Sequence, residues 1–593
     1  MCGLCGIYSA HGISDRSAVA EMTSRILHRG PDELFSLDSQ FLAAKLARLG
    51  MNGIKDGWQP ASDRSGRFTS LTNGEIYNAK ELYSRLGVPH ESNSVDVAVI
   101  PEIVSQRGIE GLCLVDGQFA SVIYDKEKNT LHLARDRFGI CPLYYFTETK
   151  TKAVHFCSEL KPIVHSLDRQ WSVSVTAIDQ YFSLGNIVAP TTLVEEISSV
   201  PPGCAVRFEK NESPATIRYW RYGKFEPGTV DGDYVKQALH KSVHDRLSAD
   251  VEIGAYLSGG FDSSTIVALA SDSGVRPLKT FSSVFDNPLI DERPFQDEVS
   301  RMYSTRHTQV SCTFDETIKH FEPMVRHCCA PQRETYNVAA LQLSSAVKAS
   351  GIKGILSGEG ADELFFGYDS YAFDSVGRPP RFDRDENASL WGDAQFSWEL
   401  DWRTIGDRKK RYFTSDGLAR LEGREFWRSR VIPFDDHEVA QLTTMQLRSI
   451  VDVYVQMSGH LLGDHGDSML MANSVEGRYP FLANEVTAIA LGVPDEEKVV
   501  DFEGKAFLKN TFNPILPTSV ANRGKQGFTA PDLREAVSKN EWSRWEELVD
   551  STEILSVFGL AKRPEDARNK WDFGLSAISI AIIMDELKLT SGC

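Results

Sequence analysis

Hydrophobic and polar positions follow two different patterns along the chain, and the change falls near residue 230. The first part contains short β-prone runs, among them Gln118–Asp125, Leu131–Asp136 and Ala153–Glu159. Turns rich in Lys, Glu, Asn, Gly and Pro separate these runs, which predicts a strand-rich unit. The stretch 209–233 has no sustained period and is rich in Pro, Gly, Asp and Glu, so we predict that it is a linker.

After residue 233 the pattern predicts strands that alternate with helices. The predicted strands are Val251–Leu257, Leu278–Phe285, Thr308–Cys312 and Ile352–Leu356, and the predicted helices are Ser263–Ala270, Arg293–Thr305 and Asn337–Ser350. This alternation is typical of an α/β parallel sheet with helices on both faces, which binds ligands at the carboxyl ends of its strands. Residues 370–426 are charged and aromatic without a clear motif, and the part from there to about Gly492 is predicted to be helical.

Composition and charge narrow the function classes. A chain of 593 residues is too long to fold around one hydrophobic core, so more than one domain is expected. Its content of 41% hydrophobic and 25% charged residues is ordinary for globular domains. The net charge of −18 argues against general binding to nucleic acid or a membrane surface. We interpret the basic run DRKKR at 407–411 as a solvated face. The apolar run Ala577–Met584 is too short to span a bilayer, and the N-terminus lacks a secretory pattern, so we expect a cytoplasmic protein.

The ten cysteines are scattered, which favours reduced thiols over a disulfide framework. Cys2 and Cys5 form a C-x-x-C without a second ligand pair. Cys2 follows the initiator Met, so removal of Met1 would leave a thiol beside a free α-amine. An α-amine has a pKa near about 8 and acts as a general base for its own side chain. Cys2 is therefore a candidate nucleophile, although an ordinary buried cysteine is the better explanation when Cys2 is considered alone.

Polar residues elsewhere in the first part favour the nucleophile. The amide of Asn73 and the backbone N–H of Gly74 are the donor types that an oxyanion hole requires. Arg48 and Asp96 carry the opposite charges that suit the carboxylate and ammonium of an amino acid. Each feature alone is more typical of a surface turn or a surface ion pair, so it is the set that points to acyl transfer.

Two glycine-rich loops follow predicted strands in the second part. Ser258, Gly259, Gly260, Phe261, Asp262, Ser263 and Ser264 form a loop at a helix start, where backbone N–H groups face an anion. No Lys follows the glycines, so the loop is not a Walker A motif. It suits pyrophosphate, with Asp262 on Mg²⁺. The second loop, Leu356–Glu363, contributes Asp362, and two carboxylates with phosphate oxygens satisfy Mg²⁺.

The first part resembles the class II, N-terminal-nucleophile glutamine amidotransferases. The matching segments are Cys2-Gly3, HRGPD at 28–32, Arg48-Leu49, NGEIYN at 73–78, Asp96, ARDRFGICPLYY at 134–145 and SELK at 158–161. The resemblance implies an α+β sandwich of αββα layers over residues 2–208, and glutamine hydrolysis through a thioester on Cys2. It also implies an oxyanion hole of Asn73 and Gly74, and glutamine binding by Arg48, Asn73, Glu75 and Asp96.

Residues 234–593 resemble the synthetase domain of the asparagine synthetases, a pyrophosphate-loop α/β fold with a helical C-terminal part. The matches are LSGGFDSS at 257–264, DE at 291–292, LSGEGADELFFGY at 356–368, SMLMANSVEGRYPFL at 468–482, GKAFLKNTF at 504–512 and RGKQGFTAP at 523–531. The resemblance implies carboxylate adenylation with ATP and Mg²⁺, followed by attack of ammonia. It assigns ATP contacts to Leu257, Ser258, Gly259, Gly260, Asp262, Ser263, Ser264, Ser283, Ser357 and Gly358. It assigns metal binding to Asp262 and Asp362, and places Glu359 and Lys505 near the reacting centre.

The sequence departs from this family most on the side of the acceptor. Ser283 stands where an aliphatic residue is usual, Ala483 stands where Asp is usual, and Gln332–Leu341 lacks an alignable aspartate-binding pattern. The expected acceptor is L-aspartate, and the alternative is an enzyme that amidates a sugar acid or a secondary-metabolite carboxylate. A non-catalytic scaffold is disfavoured because no chemical residue is missing. The expected partners are the small-molecule substrates glutamine, ATP and the carboxylate acceptor, and a homodimer is possible.

Overall fold

The computed structural model describes residues 1–55, 57–89, 95–274, 277–377, 384–396, 398, 413–524, 527, 530, 543, 545, 547, 552 and 573–590. The basic run at 407–411 lies outside these residues.

The first unit contains two six-stranded sheets, and every pairing within them is antiparallel. One sheet has the order β11-β8-β9-β1-β3-β2 and the other β13-β12-β7-β6-β5-β4. Their strands are β1 Gly3–Tyr8, β2 Glu33–Asp38, β3 Leu42–Arg48, β4 Ala61–Ser62, β5 Phe68–Ile76, β6 Gly117–Asp125, β7 Thr130–Arg135, β8 Tyr144–Thr147, β9 Val154–Cys157, β11 Ser198–Ser199, β12 Cys204–Phe208 and β13 Ala215–Arg218, and a separate short strand is β10 Trp171–Ser172.

Helices cover the outer faces of both sheets. Their bounds are Ser17–Ile26, Ala79–Arg85, Val99–Arg107, Leu160–His165 and Val175–Leu184, with 3-10 turns at Asp96–Ala98 and Ile109–Leu114. Ser17–Ile26 packs on β1 and β3, Val99–Arg107 packs on β5, and β1 and β3 face β5 across the interior. The four layers are therefore helix, sheet, sheet and helix, which is the predicted αββα sandwich.

Part of the predicted linker is a strand. β13 lies within 209–233 and pairs antiparallel with β12 as an edge strand. Its four residues are too few to give a readable alternation, and the surrounding Pro, Gly and Asp residues mask it. The next helix, Gly232–Leu247, includes the last two residues of the predicted linker.

The second unit is built on a parallel five-stranded sheet in the order β16-β15-β14-β17-β18. The strands are β14 Ile253–Tyr256, β15 Lys279–Val284, β16 Arg306–Ser311, β17 Gly354–Leu356 and β18 Glu476–Arg478. The helices of this region are Phe261–Asp272, Arg293–Tyr303, Phe314–Cys328, Tyr336–Ala349, Ala361–Phe365 and Asp369–Ser375. The four strands predicted here are confirmed, and β18 adds an edge strand that is too short for a periodic signal.

The C-terminal part is helical, as predicted. Its helices are Arg384–Trp391, Ser415–Leu421, Asp436–Val439, Thr444–Val451, Asp452–Ser468, Met469–Met471, Asn484–Gly492, Asp495–Lys498, Ala506–Phe512, Thr518–Ala521 and Phe573–Leu587, with 3-10 turns at Phe426–Arg428, Pro480–Leu482 and Asn513–Ile515. Asp452–Ser468 is a wide helix with i→i+5 hydrogen bonds over 17 residues. Such geometry usually occupies a single turn and frequently marks a functional site. We call it the wide helix.

One hydrophobic cluster runs through both units, from Met1 and Leu4 to Ile580 and Leu587. The last strand, β19 Leu589–Thr590, pairs in parallel with β10 of the first unit. The two units are therefore joined by a shared core as well as by the chain. None of the helices in the described residues is long and apolar enough to cross a membrane, and the nine cysteines among them are free thiols.

Candidate active sites

Cys2 is buried at the start of β1, beside the residues predicted to serve it. Its backbone N–H donates to Asn73 Oδ1, and its Sγ lies 4.0 Å from the carbonyl oxygen of Leu49. Burial raises the pKa of the Cys2 thiol while Met1 is attached. Met1 itself is buried, and its amine pairs with Glu476 of the second unit.

Asn73 and Gly74, which are predicted to form an oxyanion hole, are adjacent residues of β5. They lie in the middle of β5, where Asn73 is fully buried, and its Nδ2 has no hydrogen-bond partner among the described residues. A buried donor without a partner costs free energy, so such a group is typically kept for a ligand. Gly74 has φ +145°, and a Cβ there would lie 2.0 Å from the carbonyl oxygen of Gln118. Only glycine fits at this position.

Three buried carboxylates surround the predicted binding place of the glutamine ammonium. Burial raises the pKa of Glu75 well above its usual range, and the nearby charges of Asp96 and Glu476 add to the effect. Burial raises the pKa of Asp96 to about 6, although Asp96 accepts the N–H of Ile76. Arg478 supplies one compensating charge, 3.6 Å from Glu75 and 2.8 Å from Glu476. The pKa values of Glu75 and Asp96 stay raised because burial and the neighbouring carboxylates outweigh the charge of Arg478.

Arg48, which is predicted to bind glutamine, contacts Glu33 and the loop after β3. Its guanidinium pairs with Glu33 at 2.6 Å and donates to the carbonyls of Asn52, Gly53 and Gly57 at 2.8, 2.9 and 3.2 Å. These contacts fold the loop after β3 around the arginine. Its contact with glutamine stays a prediction, because in this arrangement Arg48 serves the loop.

A buried arginine ties the first site to the second unit. Arg29 donates to both carboxylate oxygens of Asp467, at 2.8 Å each, and to the carbonyl of Cys2 at 3.0 Å. Burial works against the charge of Arg29, but Asp467 and Glu159 outweigh it and raise the pKa of the guanidinium. The wide helix, which ends at Ser468, is thus anchored at the backbone of the nucleophile.

The glycine-rich loop of the second unit lies at the carboxyl end of β14, as predicted. The hydroxyls of Ser258 and Ser263 are 2.9 Å apart, and Ser263 also contacts the N–H of Ser258 and the carbonyl of Gly260. The second loop follows β17, the neighbouring strand. A Cβ on Gly358 would lie 3.0 Å from Cβ of Asp262, so the two loops touch.

Asp262 and Asp362 converge on one cation. Lys505 Nζ lies 2.8 Å from both carboxylate oxygens of Asp262 and 2.7 Å from Oδ1 of Asp362. Gly367 permits this approach, because a Cβ there would lie 2.1 Å from Asp362 Oδ1. No group of three or more His, Cys, Asp and Glu side chains suited to a metal occurs within the described ranges. Two converging hard oxygen ligands nevertheless fit Mg²⁺ that is bound together with nucleotide phosphates.

A cavity of about 470 Å³ lies above these loops. Most of the residues predicted for this site line it: Leu257, Ser258, Gly260, Asp262, Ser263, Ser283, Ser357, Gly358, Glu359, Asp362 and Lys505. Ser264 and Gly259 do not. Ser264 is fully buried behind the loop. Gly259 has φ +82° and lies next to Phe295. A Cβ on Gly259 would be 2.8 Å from Cβ of Phe295.

Several residues at the two sites escape prediction from the sequence. Glu476 and Arg478 of β18 reach the first site, and Tyr479, the next residue, lines the cavity. Tyr479 is 2% exposed, and its hydroxyl has no hydrogen-bond partner in the part of the chain described. Gly466 and Gly477 make room for it, with hypothetical Cβ atoms 2.7 and 2.6 Å from the hydroxyl. The segment VEGRYPFL carries these residues, but its letters do not indicate contacts with the first unit.

Comparisons with known proteins agree with this architecture. The asparagine synthase model matches residues 234–567, and the glutamine amidotransferase domain model matches residues 1–220. Asparagine synthetase [glutamine-hydrolyzing] 1 of Bacillus subtilis is 28% identical over 577 residues, which cover 92% of this chain and 89% of that protein. A putative asparagine synthetase [glutamine-hydrolyzing] of Mycobacterium tuberculosis is 29% identical, with 92% and 90% covered. Amidase chry2 of Gibberella zeae is 26% identical, with 85% and 84% covered.

The two family matches fall on the two units that the fold separates, and together they describe a glutamine-dependent amidotransferase of the asparagine synthase type. Because the asparagine synthase model alone covers more than half of the chain, the protein belongs to the asparagine synthase family.

Proposed function

We propose that this enzyme hydrolyses glutamine at Cys2 and uses the ammonia to amidate a carboxylic acid that it first adenylates with ATP. The observation that carries the proposal is the position of β18. Glu476 and Arg478 of this strand contact the Cys2 site, and Tyr479, which follows directly, lines the cavity above the glycine-rich loops. One short segment thus borders both reaction centres.

At the first site, the chemistry begins after Met1 is removed. The α-amine of Cys2 takes the thiol proton, and the sulfur attacks the side-chain amide carbon of glutamine. The negative oxygen that develops accepts hydrogen bonds from Asn73 Nδ2 and the N–H of Gly74. The carbon–nitrogen bond then breaks, ammonia leaves with the proton held by the amine, and water hydrolyses the thioester to glutamate and free thiol.

Glu75 and Asp96 bind the ammonium of glutamine in this proposal. Their raised pKa values reflect burial first and the neighbouring carboxylate charges second. The ammonium of glutamine would pair with these carboxylates, and this attraction would contribute to the binding free energy of glutamine. Arg478 balances the third carboxylate, Glu476, at 2.8 Å.

At the second site, an acceptor carboxylate oxygen attacks the α-phosphorus of ATP and pyrophosphate leaves. The glycine-rich loop binds the pyrophosphate through its hydroxyls and backbone N–H groups. Asp262 and Asp362 would hold Mg²⁺, which supplies charge neutralisation for the phosphates. Lys505 stabilises negative charge on the α-phosphate. Ammonia then attacks the acyl carbon, AMP leaves, and Glu359 accepts the surplus proton.

We propose that ammonia passes Tyr479 between the two centres. The orphaned hydroxyl, with Gly466 and Gly477 beside it, offers a polar contact within an otherwise buried region. Passage through the interior keeps ammonia unprotonated and therefore nucleophilic. L-aspartate is the first acceptor to test, because the curated relatives include asparagine synthetases.

The test is a comparison of nitrogen donors in a Cys2→Ala variant. We expect amidation with glutamine to fall by at least about a thousandfold, because the nucleophile is lost, while amidation with added ammonia is kept. Cys5→Ala is the matched control, since Cys5 is buried against Thr23 and is outside the proposed machinery. Loss of the ammonia-dependent reaction in Cys2→Ala would contradict two separable centres.

A further inference from the structure

Lys498 is a buried lysine at the end of the short helix Asp495–Lys498. Its side chain is 0% exposed, and its Nζ has neither a hydrogen-bond nor an ion-pair partner in the part of the chain that the structure describes. Asp495 is the charged group that acts on the amine, and it accepts hydrogen bonds from Thr443 and Gln446. A buried amine without a polar partner costs free energy, so its presence needs an explanation.

The amine of Lys498 lies against aromatic rings. Its Nζ is 4.1 Å from the centroid of the Phe366 ring and 5.4 Å from that of the Phe225 ring. Tyr371 stacks on Phe366, with centroids 4.6 Å apart and an interplanar angle of 4°. An ammonium is attracted by the face of an aromatic ring, most strongly where water is excluded. We call Lys498, Phe366 and Tyr371 the clamp.

Phe366 has a backbone conformation that needs such support. Its φ is +60°, in the left-handed region that a bulky residue rarely adopts. It follows the helix Ala361–Phe365, which carries Asp362, and the N–H of Gly367 donates to the carbonyl oxygen of Asp362 at 2.8 Å. Strained backbone persists where the surrounding contacts hold it, and it is frequent at active sites.

The turn that Phe366 begins also meets Lys505. A Cβ on Gly504 would lie 2.3 Å from the carbonyl oxygen of Phe366. A Cβ on Gly367 would lie 2.1 Å from Asp362 Oδ1 and 2.7 Å from Cε of Lys505. The backbone after Phe366 is therefore packed between the proposed metal ligand and the lysine that contacts it. A shift of Phe366 would move Asp362 relative to Lys505.

We propose that Lys498 is a positioning residue of the second centre, and that its ammonium holds Phe366 so that Asp362 is aimed at the Mg²⁺ that binds with ATP. This inference rests on the proposed function, because the metal and the nucleotide belong to it. The alternative is that the stem of Lys498 only fills the core. A methionine would then replace the lysine without any effect on the second centre.

The charge of Lys498 changes near neutral pH. Burial lowers its pKa to about 7, and the charge of Asp495 offsets this only in part. The ammonium that holds Phe366 is therefore present below a pH of about 7 and lost above it. The unfolded chain keeps the proton up to the ordinary pKa of 10.5, so the fold gains stability as the pH rises from about 7 toward that value.

The test is the binding of Mn²⁺, as a probe for Mg²⁺, to the full-length enzyme in the presence of adenosine 5′-(α,β-methylene)triphosphate. Lys498→Met keeps the apolar stem and removes the ammonium. We expect the Kd for Mn²⁺ to rise by about tenfold at a pH of about 6, because the clamp is lost. The difference from the parent should disappear at a pH of about 8.5, where the parent lysine is neutral. Lys241→Met is the control and should keep the parental Kd, because Lys241 is exposed and pairs with Asp245.

Two further measurements separate the clamp from a folding effect. At a pH of about 6 the urea midpoint of Lys498→Met should lie above that of the parent, because a buried charge has been removed. Glutamine hydrolysis without ATP should be unchanged. Equal Mn²⁺ affinity of Lys498→Met and the parent at this pH, or a loss that is the same at both pH values, overturns the clamp but leaves the proposed function standing. A parent that binds no Mn²⁺ with the analogue overturns the proposed metal site, and the clamp with it.

Phe366→Leu tests whether Lys498 acts through the ring. This variant keeps an apolar side chain and removes the partner of the ammonium. We expect a loss of Mn²⁺ affinity like that of Lys498→Met, and no further loss when the two changes are combined. Losses that multiply in the double variant would show that Lys498 acts by another route, and the clamp would be wrong. If Phe366→Leu does not fold, the pH dependence of Lys498→Met decides the question alone.

Discussion

Both reaction centres bring several carboxylates close together, but the charges of these carboxylates are compensated differently at the two centres. At the Cys2 site the chain supplies its own cation, because Arg478 lies 2.8 Å from Glu476 and 3.6 Å from Glu75. At the second site a single lysine, Lys505, bridges the two carboxylates at the base of an open cavity. The first centre is closed by residues from a distant part of the chain, and the second is open to ligands.

The two centres also depend to different extents on the rest of the molecule. The second centre takes its loops from the carboxyl ends of neighbouring strands β14, β15 and β17, and Lys505 completes it from a later part of the same unit. The first needs the second unit, since Arg29 binds Asp467 and Glu75 lies near Arg478. We therefore expect changes at the second centre to affect chemistry, and changes around the first to affect stability as well.

The largest effect is expected when the open centre loses a carboxylate. Asp362→Asn removes one of the two charges that converge on Lys505 and on the proposed Mg²⁺. We expect the amidation rate to fall by about a hundredfold or more with either nitrogen donor, because charge stabilisation of the phosphates is lost. Glutamine hydrolysis measured without ATP should be nearly unchanged.

A matched carboxylate serves as the control for this variant. Asp272 ends the helix Phe261–Asp272, which has Asp262 in its first turn, and the side chain of Asp272 is exposed. Asp272→Asn should keep the parental rates. A parallel loss of glutamine hydrolysis in Asp362→Asn would show that the two centres are not separable in the way the geometry indicates.

The second effect concerns stability at the closed centre. Arg29→Met leaves Asp467 buried without its bidentate partner, and breaking such a pair costs about 3–5 kcal/mol of unfolding free energy. Arg16→Met is the control, because Arg16 and Asp38 form a pair in which both side chains are at least 40% exposed, worth under about 1 kcal/mol. Denaturant unfolding of both variants measures the contrast, and equal losses would contradict a buried connection between the units.

Much of the open centre was predictable because its elements are local. Strands β14, β15, β16 and β17 are apolar runs bounded by turns, and the glycine-rich loops follow them directly. The chemistry-bearing residues therefore lie within a few positions of a readable strand end. Ser264 is an exception, because it already belongs to the helix Phe261–Asp272 and its side chain points into the core.

The closed centre was less predictable because its contacts span the whole chain. Cys2, Asn73 and Gly74 follow from their chemistry, but Glu476 lies 475 residues from Met1 and has no local signal. Arg48 carries a charge that suits glutamine, yet the loop carbonyls that it holds are not visible in a pattern of letters. Strand β13 escaped for a related reason, since only its partner β12 stabilises so short an edge.

A pH-dependent effect of intermediate size is expected at Asp96. Burial raises its pKa to about 6 from 3.8, so folding opposes its ionisation. The protein is therefore most stable with respect to this group below pH of about 4, loses stability as pH rises to about 6, and is constant above that. Asp96→Asn removes the cost, and we expect it to be about 3 kcal/mol more stable than the parent above pH of about 7.

The same variant should bind glutamine less well, because the proposed ammonium partner has lost its charge. Urea unfolding at pH of about 4 and about 7.5 measures the first effect, and the KM for glutamine measures the second. The two proteins should converge in stability at the lower pH. A stability gain that is the same at both pH values would mean that the carboxyl is not the source.

The smallest effect tests the segment between the centres. Tyr479→Phe removes a hydroxyl that has no hydrogen-bond partner among the residues described, so the desolvation cost of that group disappears. We expect unfolding free energy to rise by about 1 kcal/mol, and the ratio of glutamate formed to acid amidated to rise above that of the parent, since ammonia loses a polar contact on its way. Tyr234→Phe is the control, because Tyr234 is 49% exposed. An unchanged ratio together with a stability gain would mean that the hydroxyl has no part in ammonia passage. Unchanged stability would mean that the hydroxyl has a partner in solution.

Because Tyr479 directly follows the strand that contacts Glu75 and Met1, this one atom tests whether the closed and the open centre are coupled or only adjacent.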